Sequence, residues 1–150
     1  MITEGTVRFE WRAAGPITLD ANRFLVLPPL PSAPGVYRVS LTGRAGQHLP
    51  EVYIGEGGSL RSRLANYRRP STKYTAGHNH DLWVSHLARG GVMHLEVIES
   101  AEIVVGSQPR PLPLMRTSAR VLVETTALAL EYLAGTTVVL NRDAGADEFP

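Results

Sequence analysis

Polar and apolar residues alternate through one stretch of this chain and then change period just downstream. In GVYRVSLTG, residues 35–43, β-branched and aromatic side chains recur at every second position, which predicts a strand. EVYIG, residues 51–55, reads as its hairpin partner, because Arg44 to Pro50 has the length of a longer hairpin loop. After Ser59, a natural helix cap, Leu60, Leu64 and Tyr67 recur at helical spacing. HNHDLWVSHLA, residues 78–88, predicts a second short helix ended by Gly90-Gly91, and VMHLEVIES predicts a third strand. From Thr117 to Ala134 the pattern is that of a long helix, closed by Gly135. Upstream, TVRFEWRA alternates as a strand does and FLVLPPLPSAP is an apolar run stopped by prolines, so residues 1–34 read as an N-terminal extension. SQPRPLP reads as a linker, TVVLNRD as a short apolar piece, and residues 144–150 as a loose acidic tail. The order strand, strand, helix, helix, strand, helix predicts an α/β domain, a small sheet flanked by helices.

Composition narrows the function classes without choosing one. A chain of 150 residues with 43% hydrophobic and 19% charged residues is that of a single globular domain. It has no cysteine, which removes disulfides and thiolate metal sites and makes a reducing cytoplasm the expected compartment. Its apolar runs are too short and too broken by proline to span a bilayer, and no secretion signal is read at its start. The net charge is only +1, yet Arg61, Arg63, Arg68, Arg69 and Lys73 follow one another with no carboxylate between Glu56 and Asp81. Every basic residue except Lys73 is arginine, whose planar fork suits phosphate. Gly55, Gly57 and Gly58 just ahead would let backbone approach a ligand closely, although a glycine turn before a helix is common. Tyr37 and Tyr53 fall near facing positions of the hairpin, and Arg63 and Tyr67 stand at i, i+4. His78, Asn79, His80 and Asp81 do not make a convincing zinc site, because histidines at i, i+2 share no helical face. The stretch 68–81 reads better as a loop tracking a nucleic-acid backbone. His48, His86 and His94 are assigned to structure or surface, and Trp11 and Trp83 to core or interface.

GVY at 35–37, YIG at 53–55, the pair Arg63-Leu64 and the aromatic Tyr67 together resemble the GIY-YIG nuclease family. The run GVYR…VYIGE…LRSRLANY is similar to the incision domain of the bacterial nucleotide-excision repair endonuclease. That family carries a glutamate on a later helix and an asparagine beyond it; LVETTALALEY and LNRD supply Glu124 and Asn141 in that order. Glu131 shares the helical face of Glu124, but Glu124 leaves nearly three turns before Gly135 and is preferred. The resemblance spans about residues 35–143 and implies a central, mainly antiparallel sheet of about three strands flanked by helices.

It also implies a divalent-metal-dependent endonuclease that hydrolyses DNA phosphodiester bonds. Tyr37 would be the general base, Tyr53 would share its hydroxyl network, and Arg63 would hold the scissile phosphate. Tyr67 stands where other members carry histidine. Glu124 would be the lone protein ligand to one Mg²⁺ or Mn²⁺, and Asn141 would orient that glutamate or the backbone. A phenol near pKa 10 is a poor base, so the surrounding arginines, together with a metal-bound hydroxyl passing its proton on, are expected to make the task feasible. Gly55, Arg61, Arg68, Arg69, Lys73, His78 and His80 are the expected nucleic-acid contacts. Glu56 would oppose phosphate binding unless it turns away. RNA would fit the same residues as DNA, and a homodimer partner is one source of specificity. The alternative is a catalytically inactive nucleic-acid-binding module of the same fold, since a domain of charge +1 attracts DNA weakly at a distance.

Overall fold

The computed structural model describes residues 1–141, the side chains of residues 74–76 excepted. In chain order the elements are β1 (Thr6–Phe9), β2 (Arg12–Leu19), β3 (Leu25–Val26), β4 (Gly35–Thr42), β5 (Glu51–Gly57), α1 (Leu60–Ala65), α2 (Tyr74–Ala88), β6 (Val92–Ile98), β7 (Ala101–Val105), β8 (Gln108–Pro111), α3 (Thr117–Ala134) and β9 (Val138–Val139). The strands predicted at 35–43, 51–55 and in VMHLEVIES are β4, β5 and β6, and they lie at the centre of a larger sheet ordered β3-β2-β6-β4-β5-β9, while the alternation of TVRFEWRA covers β1 and the start of β2. Every pairing in it is antiparallel except β5 with β9, which is parallel.

Of residues 1–34, β2 and β3 join this sheet, whereas β1 pairs with β7 in a second one. β2 closes the open edge of β6, and Ile17, Leu25 and Leu30 go into the core. An unpaired β6 would expose a row of backbone donors and acceptors, which gives the segment a physical reason to pack there. The SQPRPLP stretch, read as a linker, contains β8, the edge of a second sheet ordered β1-β7-β8. Its four residues are all exposed, and an edge strand is where proline is tolerated. The acidic tail 144–150 and the last two residues of the 35–143 span lie outside the described residues.

The period-2 alternation of β4 sorts the core into two layers. Tyr37, Val39 and Leu41 face one side, where Leu60, Leu64, Tyr67 and Trp83 cover them. Val36, Ile54 and Ile98 face the other, under Ala119, Val123, Ala127 and Leu128 of α3. Each fully buried side chain of this kind contributes roughly 1.5–3 kcal/mol. Gly135 ends α3 in the left-handed conformation, φ 66°, as predicted. The helix α2 starts at Tyr74, so the loop expected over 68–81 is helical in its second half. Among the described residues no helix is long and apolar enough to cross a membrane.

Candidate active site

The hairpin register explains how the tyrosines meet. Tyr37 pairs with Gly55 and Val39 with Tyr53, so the two phenols are diagonal neighbours on one face, with no side chain opposite Tyr37. The Tyr37 ring lies directly over that gap: a Cβ at Gly55 would stand 2.4 Å from the Tyr37 hydroxyl oxygen. Tyr67, just beyond α1, completes the group, its hydroxyl 2.7 Å from that of Tyr37. Trp83 of α2 walls it off, 4.8 Å centroid to centroid from Tyr67 and 6.1 Å from Tyr53.

Arg63 enters from α1, with its guanidinium carbon 5.8 Å from the centre of the Tyr67 ring. It approaches so closely because of Gly57, where a Cβ would stand 2.8 Å from the Arg63 Cβ. Its Nε is buried and holds no hydrogen bond. Arg63 also lines an open recess of about 410 Å³, together with Glu56, Gly57, Gly58, Ser59 and Ser62. Arg63 as a whole is only half-buried, so part of its cationic side chain is open to an anion in the recess.

The electrostatics correct one expectation. Burial pushes the Tyr37 phenol well above its ordinary value, Tyr67 and Tyr53 add to the rise, and Arg63 offsets only part of it. Tyr53 is raised as well, first by burial and then by Tyr67, with Asn79 and Arg63 opposing. Both phenols are therefore protonated at neutral pH, and Tyr37, fully buried, is not a ready base. Desolvation outweighs the arginine because removing the ring from water penalises the phenolate more than one neighbouring cation favours it. Burial also acts against the charge of Arg63, but the surrounding hydroxyls outweigh it and the group stays cationic.

No protein-family model matches the chain, and no curated protein matches it by sequence. Among solved structures it is similar to a mutant of EndoII of bacteriophage T4, at TM-score 0.53 and 16% identity, covering 78% of this chain and 88% of that one. EndoII is a GIY-YIG nuclease. The chain has the GIY-YIG nuclease fold.

Within the GIY-YIG fold the remaining site residues divide clearly. Asn141 stands at the outer edge of β5, where its Oδ1 accepts from the Ile54 amide at 3.0 Å and its Nδ2 donates to the Ile54 carbonyl at 2.5 Å. It holds the YIG strand in place and extends the short pairing of β9 by one side chain. Glu124 is half-buried on α3, which packs chiefly on β5 and β4 from the face opposite the tyrosines. Glu131, on the same helical face, is committed elsewhere. One of its oxygens takes Arg38 Nη1 and the other accepts from Thr137 Oγ1 at 2.9 Å. Arg38 also bonds Glu96 at 2.7 Å and stacks 4.4 Å from the centre of the Trp11 ring.

Several expected nucleic-acid contacts are placed differently. Gly55 is buried beneath Tyr37, so it makes room for a ring and cannot meet a phosphate. His80 is buried with its Nδ1 2.8 Å from the Tyr67 carbonyl oxygen, which makes it a brace for the Tyr67 turn. Arg61 is exposed, but its Nε donates to the Leu30 carbonyl at 3.0 Å and so ties down the N-terminal segment. Arg68, Arg69, Lys73 and His78 are exposed, with Arg69 lying 5.2 Å from the centre of the Phe24 ring. His86 is structural: its Nε2 is 3.1 Å from the carbonyl oxygens of Thr42 and Val92.

Sequence reasoning missed the aromatic wall of Trp83 and the partner of Glu56. Arg120 donates to that carboxylate at 2.5 Å and turns it toward α3. The available signal was spacing, since Arg120 precedes Glu124 by one helical turn.

Proposed function

We propose that the chain is a divalent-metal-dependent endonuclease acting on DNA. The observation that carries this reading is Arg63, a half-buried cation that lines an open recess and stands beside three tyrosine hydroxyls. An arginine so arranged grips a phosphate oxygen and gains strength as charge builds on it during hydrolysis. The recess is open, and the exposed Arg68, Arg69 and Lys73, which follow α1 in the chain, are the cations proposed to hold the backbone of an entering strand.

The hydroxyls take a different division of labour from that implied by the sequence. Tyr53 is only half-buried and would be the phenol that meets an attacking water, with the hydrogen-bonded pair Tyr67 and buried Tyr37 bracing it from behind. Kept protonated by burial, Tyr37 and Tyr53 do not begin as phenolates; they would orient the water by hydrogen bonding, its proton leaving to solvent.

The cation this reading calls for is a hard one with few protein ligands. Among the described residues no group of three or more His, Cys, Asp or Glu side chains converges. Glu124 would be the single carboxylate ligand to Mg²⁺ or Mn²⁺, with water and phosphate oxygens filling the rest. The bonds of Glu131 to Arg38 and Thr137 favour Glu124 over it for that role. When bound, such an ion lowers the cost of developing charge and of deprotonating water.

The test is nicking of supercoiled plasmid by purified protein with Mg²⁺ or Mn²⁺ and with EDTA. Metal-dependent nicking that EDTA abolishes is expected. Clean protein at micromolar concentration that binds DNA yet leaves plasmid, linear duplex and branched DNA intact would replace this reading with that of a non-catalytic binding module.

A further inference from the structure

Glu56 lines the recess, where a free carboxylate would repel a phosphate. It does not face the recess alone. Arg120 Nε donates to Glu56 Oε2 at 2.5 Å, and the Arg120 side chain is only 8% exposed. The other two guanidinium nitrogens are also engaged. Nη1 donates to the carbonyls of Leu114 and Met115 at 2.9 and 3.1 Å, and Nη2 donates to Thr117 Oγ1 at 3.1 Å. The guanidinium lies under the glycine turn, where a Cβ at Gly58 would stand 3.7 Å from Nη2.

We infer that Arg120 is a positioning residue for the recess, holding the Glu56 carboxylate against α3 so that an entering phosphate meets Arg63 without a competing anion. The inference rests on the nuclease reading only for the identity of that anion. Arg120 and Glu124 stand four residues apart on one helical face, so the same contact fixes the glycine turn relative to the half of α3 that carries Glu124. A buried ion pair is weak evidence of stability, but losing one partner releases a charge that must go somewhere. Here it would go into the recess. A purely structural Arg120, serving only the turn at Leu114 and Met115, would act without regard to Glu56.

The experiment compares the full chain with Arg120→Met, Arg120→Lys, Glu56→Gln and the Arg120→Met/Glu56→Gln double variant, each checked by thermal melting. Two probes are used in EDTA: a fluorescent DNA duplex read by anisotropy, and inorganic pyrophosphate read by the NMR signal of Arg63 Nε. Arg120→Met should weaken both about tenfold, the size expected for one like charge near a phosphate. The double variant should return to within about twofold of Glu56→Gln, a coupling that only contacting residues show. Arg120→Lys should keep most of the affinity. Equal weakening in Arg120→Met and the double variant would overturn the inference, as would a wild-type protein that binds neither probe. If the duplex does not bind but pyrophosphate follows the expected pattern, the nuclease reading falls and the Arg120 inference stands. Should Arg120→Met fail to fold, Glu56→Gln decides: affinity at or above wild type supports the inference, and weaker affinity overturns it.

Discussion

Replacing Gly55 by alanine tests the packing that builds the site. The added Cβ would stand 2.4 Å from the Tyr37 hydroxyl oxygen and 2.5 Å from the ring carbon bearing it. That is roughly 1 Å inside van der Waals contact. The ring cannot simply turn aside, because Tyr37 is fully buried and packs 6.2 Å from Tyr53 and 6.3 Å from Tyr67. Overpacking of this kind costs about 1–3 kcal/mol, which for a domain of this length lowers the melting temperature by roughly 2–12 °C. Displacement of the hydroxyl also breaks its bond to Tyr67, and a misplacement of about 1 Å at a reacting centre costs on the order of 10²-fold in rate. Gly58→Ala is the control from the same turn, because its Cβ would meet nothing closer than 3.7 Å. The assay pairs thermal melting with single-turnover cleavage. Gly55→Ala melting and cutting like wild type, or Gly58→Ala losing as much, would refute the reasoning.

Three further outcomes follow from the same geometry. Glu124→Gln should abolish cleavage and leave DNA binding intact in a filter or anisotropy assay, whereas full activity would remove it as the metal ligand. Glu131→Gln should instead melt about 1–3 kcal/mol less stably and still cut, because it weakens the partly buried contact with Arg38; an inactive, normally stable variant would contradict this. Because Tyr37 and Tyr53 are raised in the folded state, stability should hold up to about pH 10 and fall above it, by up to about 1.4 kcal/mol per pH unit for each group, with a shallower fall in Tyr37→Phe. Tyrosinate absorbance of these two residues appearing before unfolding would refute that assignment.

The elements legible in the sequence were those carried by local pattern. β4, β5 and β6 alternate because one or both of their faces are buried, and α3 announces itself by spacing and by Gly135. The parts that were not legible depend on distant partners. β8 is held only by its ladder to β7 and carries two prolines, so nothing local marks it as a strand. The N-terminal segment looked separable because its burial comes from β6, far along the chain. The site divided in the same way. Tyr37, Tyr53, Arg63 and Tyr67 were found by motif and spacing, and they do converge. The roles of Gly55 and His80 were misread because both types suit a phosphate contact in principle, and only the packing shows that a ring and a carbonyl already occupy them. The partner of Glu56 was missed because charge pairing across 64 residues leaves no trace beside Glu56, and only the spacing of Arg120 ahead of Glu124 hinted at it.

The most direct test of the central claim is single-turnover cleavage by Arg63→Ala at saturating DNA over a salt series, beside an Arg68→Ala/Arg69→Ala double variant. If the guanidinium of Arg63 grips the scissile phosphate, Arg63→Ala loses about 10²–10³ in rate at saturation, and Arg63→Lys recovers only part of it. The double variant binds more weakly, with a salt dependence flatter by about one unit of slope per contact, yet turns over normally once saturated. Arg63→Ala cutting at the wild-type rate under saturation would reduce Arg63 to part of a basic surface and contradict the mechanism.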